Sequence, residues 1–169
     1  MNKIIWTIGF AISICSVSSQ SVSVDDFSSI NGPWNGELTY TDYQDDQSKF
    51  SIPCRMEAKR KRNKICLLLT FTEPDGRQIT DKTTVKFKEE GTTLMIDKQT
   101  YRVAQVMGAD EGKELQITLM GEGKDNNKPS KFKNMIVFSD SNFSMKKLVK
   151  YNGTEKYFER NSYVFRRAK

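Results

Sequence analysis

An all-β fold, specifically a single antiparallel up-and-down barrel of about eight to ten strands, is what this sequence predicts, with a two-sheet sandwich as the alternative. Three observations lead there. Apolar and polar residues alternate at period two in one stretch after another, as in strands with one buried face. Turn-forming clusters recur at short intervals. No window of a dozen residues after Gln20 carries a helical stripe.

The chain has 169 residues, enough for one domain. Its first segment stands apart. Met1-Asn2-Lys3 is a short cationic start, Ile4 to Ile14 is apolar apart from Thr7, Gly9 and Ser13, and Ser16, Val17, Ser18 and Ser19 are small. That is the layout of a secretory signal peptide over 1–19, cleaved near Gln20, and it places the mature protein in the periplasm or outside the cell. The apolar run is too short for a transmembrane segment. Residues 20–31 read as a loose lead-in, and 32–169 as the barrel domain.

The strands are then expected at 34–43, 49–59, 64–73, 77–88, 92–97, 99–107, 114–121, 131–139, 142–150 and 156–167. Phe50, Ile52, Cys54, Met56 and Ala58 alternate with Ser51, Arg55, Glu57 and Lys59. Val85 and Phe87, and then Leu115, Ile117 and Leu119, repeat the pattern. Connections this short join antiparallel neighbours, and a long meander that closes on itself removes its unpaired edges. The longest connection is expected at 121–130.

Composition narrows the chemistry. There is no His, which excludes His-based nucleophilic triads and His-ligated zinc. No catalytic residue, metal site or cofactor is expected. Asp42, Asp45 and Asp46 form the one dense acidic cluster; they sit in a turn and read as solvated charge, with a carboxylate-pair hydrolase as a minor alternative. The chain carries 27 Lys and Arg against 21 Asp and Glu. Arg55 to Lys64 alone holds six basic residues and one Glu. That run is either a solvated turn or, at Lys59–Lys64, a contact for an anionic surface. Nucleic acid is not expected as a partner of an exported protein.

Two cysteines follow the leader, Cys54 and Cys66. A hairpin centred on residue 60 sets them opposite each other, and an exporting route allows a disulfide. Inward Cys66, however, turns Ile65, Leu67 and Leu69 outward, the poorer pattern. The disulfide stays open at this stage.

Gly32-Pro33-Trp34 opens the first strand and Arg167 lies on the last. A Gly-x-Trp start with a terminal-strand Arg resembles the calycin superfamily of lipocalins, avidins and fatty-acid-binding barrels, here as a small exported bacterial domain. The resemblance implies that Trp34 closes one end with Arg167 stacked on it, next to Gly32. The connection at 44–48 is too short for the helical lid of fatty-acid-binding barrels. Parity and this likeness together suggest an interior lined by Tyr40, Phe50, Ile52, Met56, Phe87, Tyr101, Phe132 and Tyr163. A non-enzymatic barrel holding a small apolar or amphipathic ligand is the leading expectation. The alternatives are a barrel filled solid by these rings and a protein-interaction or inhibitor barrel working through its loops and charged faces.

Overall fold

The structure, a computed structural model, describes residues 20–108 and 114–168. The expected signal peptide lies outside the described residues. Ten strands follow in order: β1 (Gly32–Thr41), β2 (Lys49–Lys61), β3 (Lys64–Thr72), β4 (Gln78–Lys88), β5 (Thr93–Ile96), β6 (Gln99–Met107), β7 (Leu115–Asp125), β8 (Lys128–Phe138), β9 (Asn142–Tyr151) and β10 (Phe158–Arg167). Each pairs antiparallel with its sequence neighbours, and β10 pairs with β1, so the meander closes into one barrel.

Period two builds this ring. Trp34 stands opposite Met56 on one side and Arg167 on the other, and Met56 stands opposite Leu69. Residues in register share a face, so Met56, Ala58, Ile65, Leu67, Leu69, Val85 and Phe87 all point in and are buried. Odd-numbered connections, beginning with 42–48, fall at one rim, the mouth; even-numbered ones fall at the rim beside Trp34.

The hairpin between β7 and β8 corrects one expectation. There is no long loop at 121–130: the strands run on to Asp125 and Lys128 around Asn126 and Asn127 alone. Both asparagines have positive φ, 49° and 61°, as a two-residue turn that matches strand twist requires. The Gly and charged residues of 121–125, which read as loop, are strand, paired residue by residue with 128–132.

The disulfide left open by the sequence does not form. The β2–β3 hairpin turns on Arg62 and Asn63, so Cys54 pairs with Phe71 and Cys66 with Lys59. Cys54 points in and Cys66 out, and both are free thiols. The apolar pattern Ile65, Leu67, Leu69 sets that register.

Residues 20–31 are not loose. Val22, Phe27 and Ile30 are buried at the Trp34 end, with Asp25–Phe27 in a single 3₁₀ turn. Val22 donates its amide to Gly91 O at 3.0 Å, and the Phe27 ring packs 5.1 Å from Phe138 and 5.8 Å from Phe87. The segment is a plug with apolar anchors. In this half the interior is filled: the void among Phe27, Ile30, Ile65, Leu67, Val85, Ile136, Phe143 and Met145 measures about 10 Å³, room for one water at most.

The ring is thinnest at β5, whose junctions with β4 and β6 are each four residues long. β4 and β5 share only Val85–Lys88 against Thr93–Ile96. Asp97 ends the pairing: its amide donates to Thr84 O at 2.8 Å, and its carboxylate accepts from the Thr84 amide at 2.8 Å. Toward the mouth β4 continues to Gln78, paired there, among the described residues, with β3 only.

Candidate functional site

The Trp34 end is closed by side chains. Gly32 takes a φ of 108°, which favours glycine, and lets the chain turn into β1 beneath Arg167. Trp34 is 0% exposed and donates Nε1–H to Ile30 O at 2.9 Å. The Arg167 guanidinium lies 4.1 Å from the indole centroid. It also donates to Asp140 O at 2.6 Å, to Asn31 O at 3.0 Å and to Ser29 O. A cation over an indole whose donors meet backbone carbonyls ties together both chain ends and the plug. Gly36 is needed for the same seam: a Cβ there would stand 2.0 Å from Val164 O and 2.8 Å from the Phe165 Cα.

At the mouth the sequence hid the principal group. Register slips between Glu159 and Asn161, so Arg160 is an extra residue in a β-bulge and points inward. It is 1% exposed. Its Nε donates to Asp125 Oδ2 at 2.9 Å; Nη2 donates to Asp46 Oδ1 at 2.6 Å and to the Tyr151 hydroxyl at 2.7 Å. Nη1 reaches the carbonyls of Thr41 and Asp42 at 3.3 and 3.4 Å. The rings of Tyr43 and Phe158 lie 4.2 and 4.8 Å from its central carbon. Lys147 and Lys128 complete the cluster, 3.4 Å from Asp125 and 3.5 Å from Asp46.

Electrostatics follow from that packing. Burial alone would raise the Asp46 carboxyl, but hydrogen bonds from Arg160 and Tyr151, with the charges of Arg160 and Lys128, hold it below the ordinary carboxylate value. Burial, then donation to Asp46, pushes the Tyr151 hydroxyl up to about 12. The three acids expected as solvated charge thus part company. Asp42 and Asp45 cap amides of their own loop, Gln44 N at 2.8 Å and Gln47 N at 2.8 Å, while Asp46 turns in to Arg160. Charge-assisted bonds therefore pin the 42–48 loop over the β7–β10 side of the mouth.

The opposite wall, β1 to β4, is open. Tyr40 and Phe50, 5.8 Å apart, share the inward parity of Ile52, yet Phe50 is 48% exposed. Ile79 stands opposite Phe71, itself opposite buried Cys54, and is 41% exposed; Asp81, opposite Leu69, is exposed too. Tyr163 is half-buried beside them, 6.5 Å from Phe71. Burial first, and Asp81 among nearby groups, push its hydroxyl up to about 12. Of the eight residues expected to line the interior, Met56 and Phe87 belong to the filled base. Ile52, Tyr101 and Phe132 are buried higher up, and Tyr40, Phe50 and Tyr163 stand at the open wall. Reading by parity missed Phe71, Ile79, Asp81, Asp125, Tyr151 and Arg160.

No family model matches the chain, and no curated protein matches it in sequence. Solved structures do. The crystal structure of Rv2717c from M. tuberculosis is similar with a TM-score of 0.59 at 10% identity, over 86% of this chain and 97% of that one. Apocrustacyanin C1 (TM-score 0.43, 15% identity) and lobster apocrustacyanin A1 (0.40, 12%) each align over 88% of this chain and 72% of theirs. These likenesses concern the fold.

Proposed function

We propose that this chain, a calycin-like barrel sealed at its Trp34 end, is an exported non-enzymatic binding protein that takes a small apolar or amphipathic ligand at its mouth. One observation carries the reading: inward-facing Phe50 and Ile79 stay 48% and 41% exposed although the base of the same interior is filled. A large apolar side chain that faces a barrel interior and still meets water is surface available for a ligand to cover. Tyr40, Phe71 and Tyr163 extend that surface, and the Tyr163 hydroxyl and Asp81 carboxylate supply polar ends for an amphipathic molecule.

Titration with 1-anilinonaphthalene-8-sulfonate, followed by displacement with fatty acids of increasing length, tests it. Saturable binding that Ile79→Lys and Phe50→Glu each weaken about tenfold is expected, in line with loss of a buried side chain. Absence of saturable binding, or binding by both variants as tight as wild type's, would sink the proposal. A protein partner is the second reading, favoured by the open edge of β4 at 78–82, to which an extended peptide can add as a strand. That partner would slow hydrogen exchange at the Gln78 and Thr80 amides.

A further inference from the structure

Like charges directly opposite one another destabilise an antiparallel pair. On the outer face of the barrel, Lys61 stands opposite Lys64 and Lys64 opposite Lys86, so three lysines form one row across β2, β3 and β4. Lys59 lies beside that row, opposite Cys66. Lys82 lies opposite Leu68, and Arg55 opposite Thr70. Neighbouring cations are separated by about 5 Å across the strands and about 7 Å along them. Glu57 is the one carboxylate on this face of β2–β4. Glu89, just past β4, is taken up by the Thr93 hydroxyl at 2.6 Å. Among the described residues, no carboxylate comes within 4 Å of any cation in this group, whereas Arg60, whose side chain turns to the plug, pairs with Asp25. Amid the cations Leu68 is 46% exposed.

We infer that this outer face of β2–β4 docks on an anionic phospholipid bilayer. The cations spread in two dimensions, which suits a plane of headgroups better than a linear polyanion. No aromatic side chain shares the face, so it offers no stacking platform for a single-stranded nucleic acid. Each basic residue close to an anionic leaflet adds attraction, and an apolar side chain at their centre can enter the headgroup layer. The repulsion within the lysine row is relieved when phosphates lie over it. The inference stands apart from the interior ligand, since none of its residues faces the barrel lumen.

Vesicle co-sedimentation tests it, using phosphatidylcholine alone and phosphatidylcholine mixed with phosphatidylglycerol. The full chain is compared with the triple variant Lys61→Gln, Lys64→Gln, Lys86→Gln and with Leu68→Ser. Any contribution of residues 1–19 is common to all, so differences report the face. Wild type should prefer the anionic vesicles, and salt should weaken that preference. The triple variant should lose about a hundredfold in affinity. Its Tm should not fall, because a repulsive row has been removed; Leu68→Ser, which keeps every charge, should show a smaller loss. Equal binding to both vesicle types would overturn the inference, as would a triple variant that binds like wild type. Binding to heparin or nucleic acid with none to anionic vesicles would assign the face to a different partner.

Discussion

Arg160 shows what a single inward cation does in this fold. Its guanidinium and the Asp125 carboxylate are both buried, so each is tolerable only because it is paired, Arg160 with Asp125 and Asp46 and Asp125 with Arg160 and Lys147. Arg160→Met should therefore cost about 3–5 kcal/mol, the penalty for stranding a buried charge, measurable by urea denaturation. The bulge also explains why the residue escaped a reading by parity. Counting back by twos from Phe165 and Tyr163 puts Asn161 inside and Arg160 outside; one inserted residue reverses that. Trp34 and Arg167, by contrast, were legible, because closing a meander brings its first and last strands together. Trp34→Ala should cost about 3–5 kcal/mol and Arg167→Ala about 1–3 kcal/mol, whereas Arg166→Ala, exposed on the opposite parity, should be nearly silent. Trp34 is the only tryptophan in 20–169, so its emission reports the sealed end. The thiols give a further check. Burial pushes Cys54 up to about 11, against a hydrogen bond from the Thr70 backbone. Iodoacetamide should modify Cys66 in the folded protein and Cys54 only after unfolding.

Strands were more legible than their turns. Alternation in β2, β4 and β7 shows directly in the residue types, because each of these strands buries one face only. Hairpin ends are set by backbone conformation, which composition signals weakly. Asp45-Asp46, Asn126-Asn127 and Arg62-Asn63 all turn the chain, yet only the register revealed that the last is a two-residue turn, and that revelation dissolved the disulfide. The left-handed pair Asn126-Asn127 is tolerant of glycine and not of a branched side chain. Asn127→Gly should leave Tm unchanged or higher; Asn127→Val should cost about 1–2 kcal/mol in thermal unfolding. The plug at 20–31 was illegible for a different reason. Val22, Phe27 and Ile30 show neither strand nor helix spacing, and their burial depends on an opening that exists only once ten strands have closed.

At the scale of the molecule, the two ends are held by unlike forces. Apolar packing and one stacked cation hold the sealed end; carboxylates hold the mouth. Asp46 and Glu159 both titrate below their ordinary values: burial opposes this, but Arg160 holds Asp46 down and Lys146 and Lys49 hold Glu159 down. A carboxyl with a lowered folded value stabilises the fold at neutral pH. That stabilisation disappears as pH falls from about 4 through the lowered value. Acid should therefore loosen the mouth first. Melting curves between about pH 6 and about pH 2 should show wild type losing Tm more steeply than Asp46→Asn, with Trp34 emission still that of a buried indole where the mouth has already opened.

The β1–β10 seam carries a consequence for how the protein is made. Every other strand pair joins neighbours in sequence, but this one joins residues 34–40 to residues 161–167. Until β10 is available, β1 and β9 each present an unpaired edge, and neither the Trp34 cap nor the Arg160 cluster can assemble. A chain without β10 is therefore an open sheet with two adhesive edges in place of a closed ring. A product truncated before Phe158 should therefore aggregate, and β10 works as the zip that closes the ring.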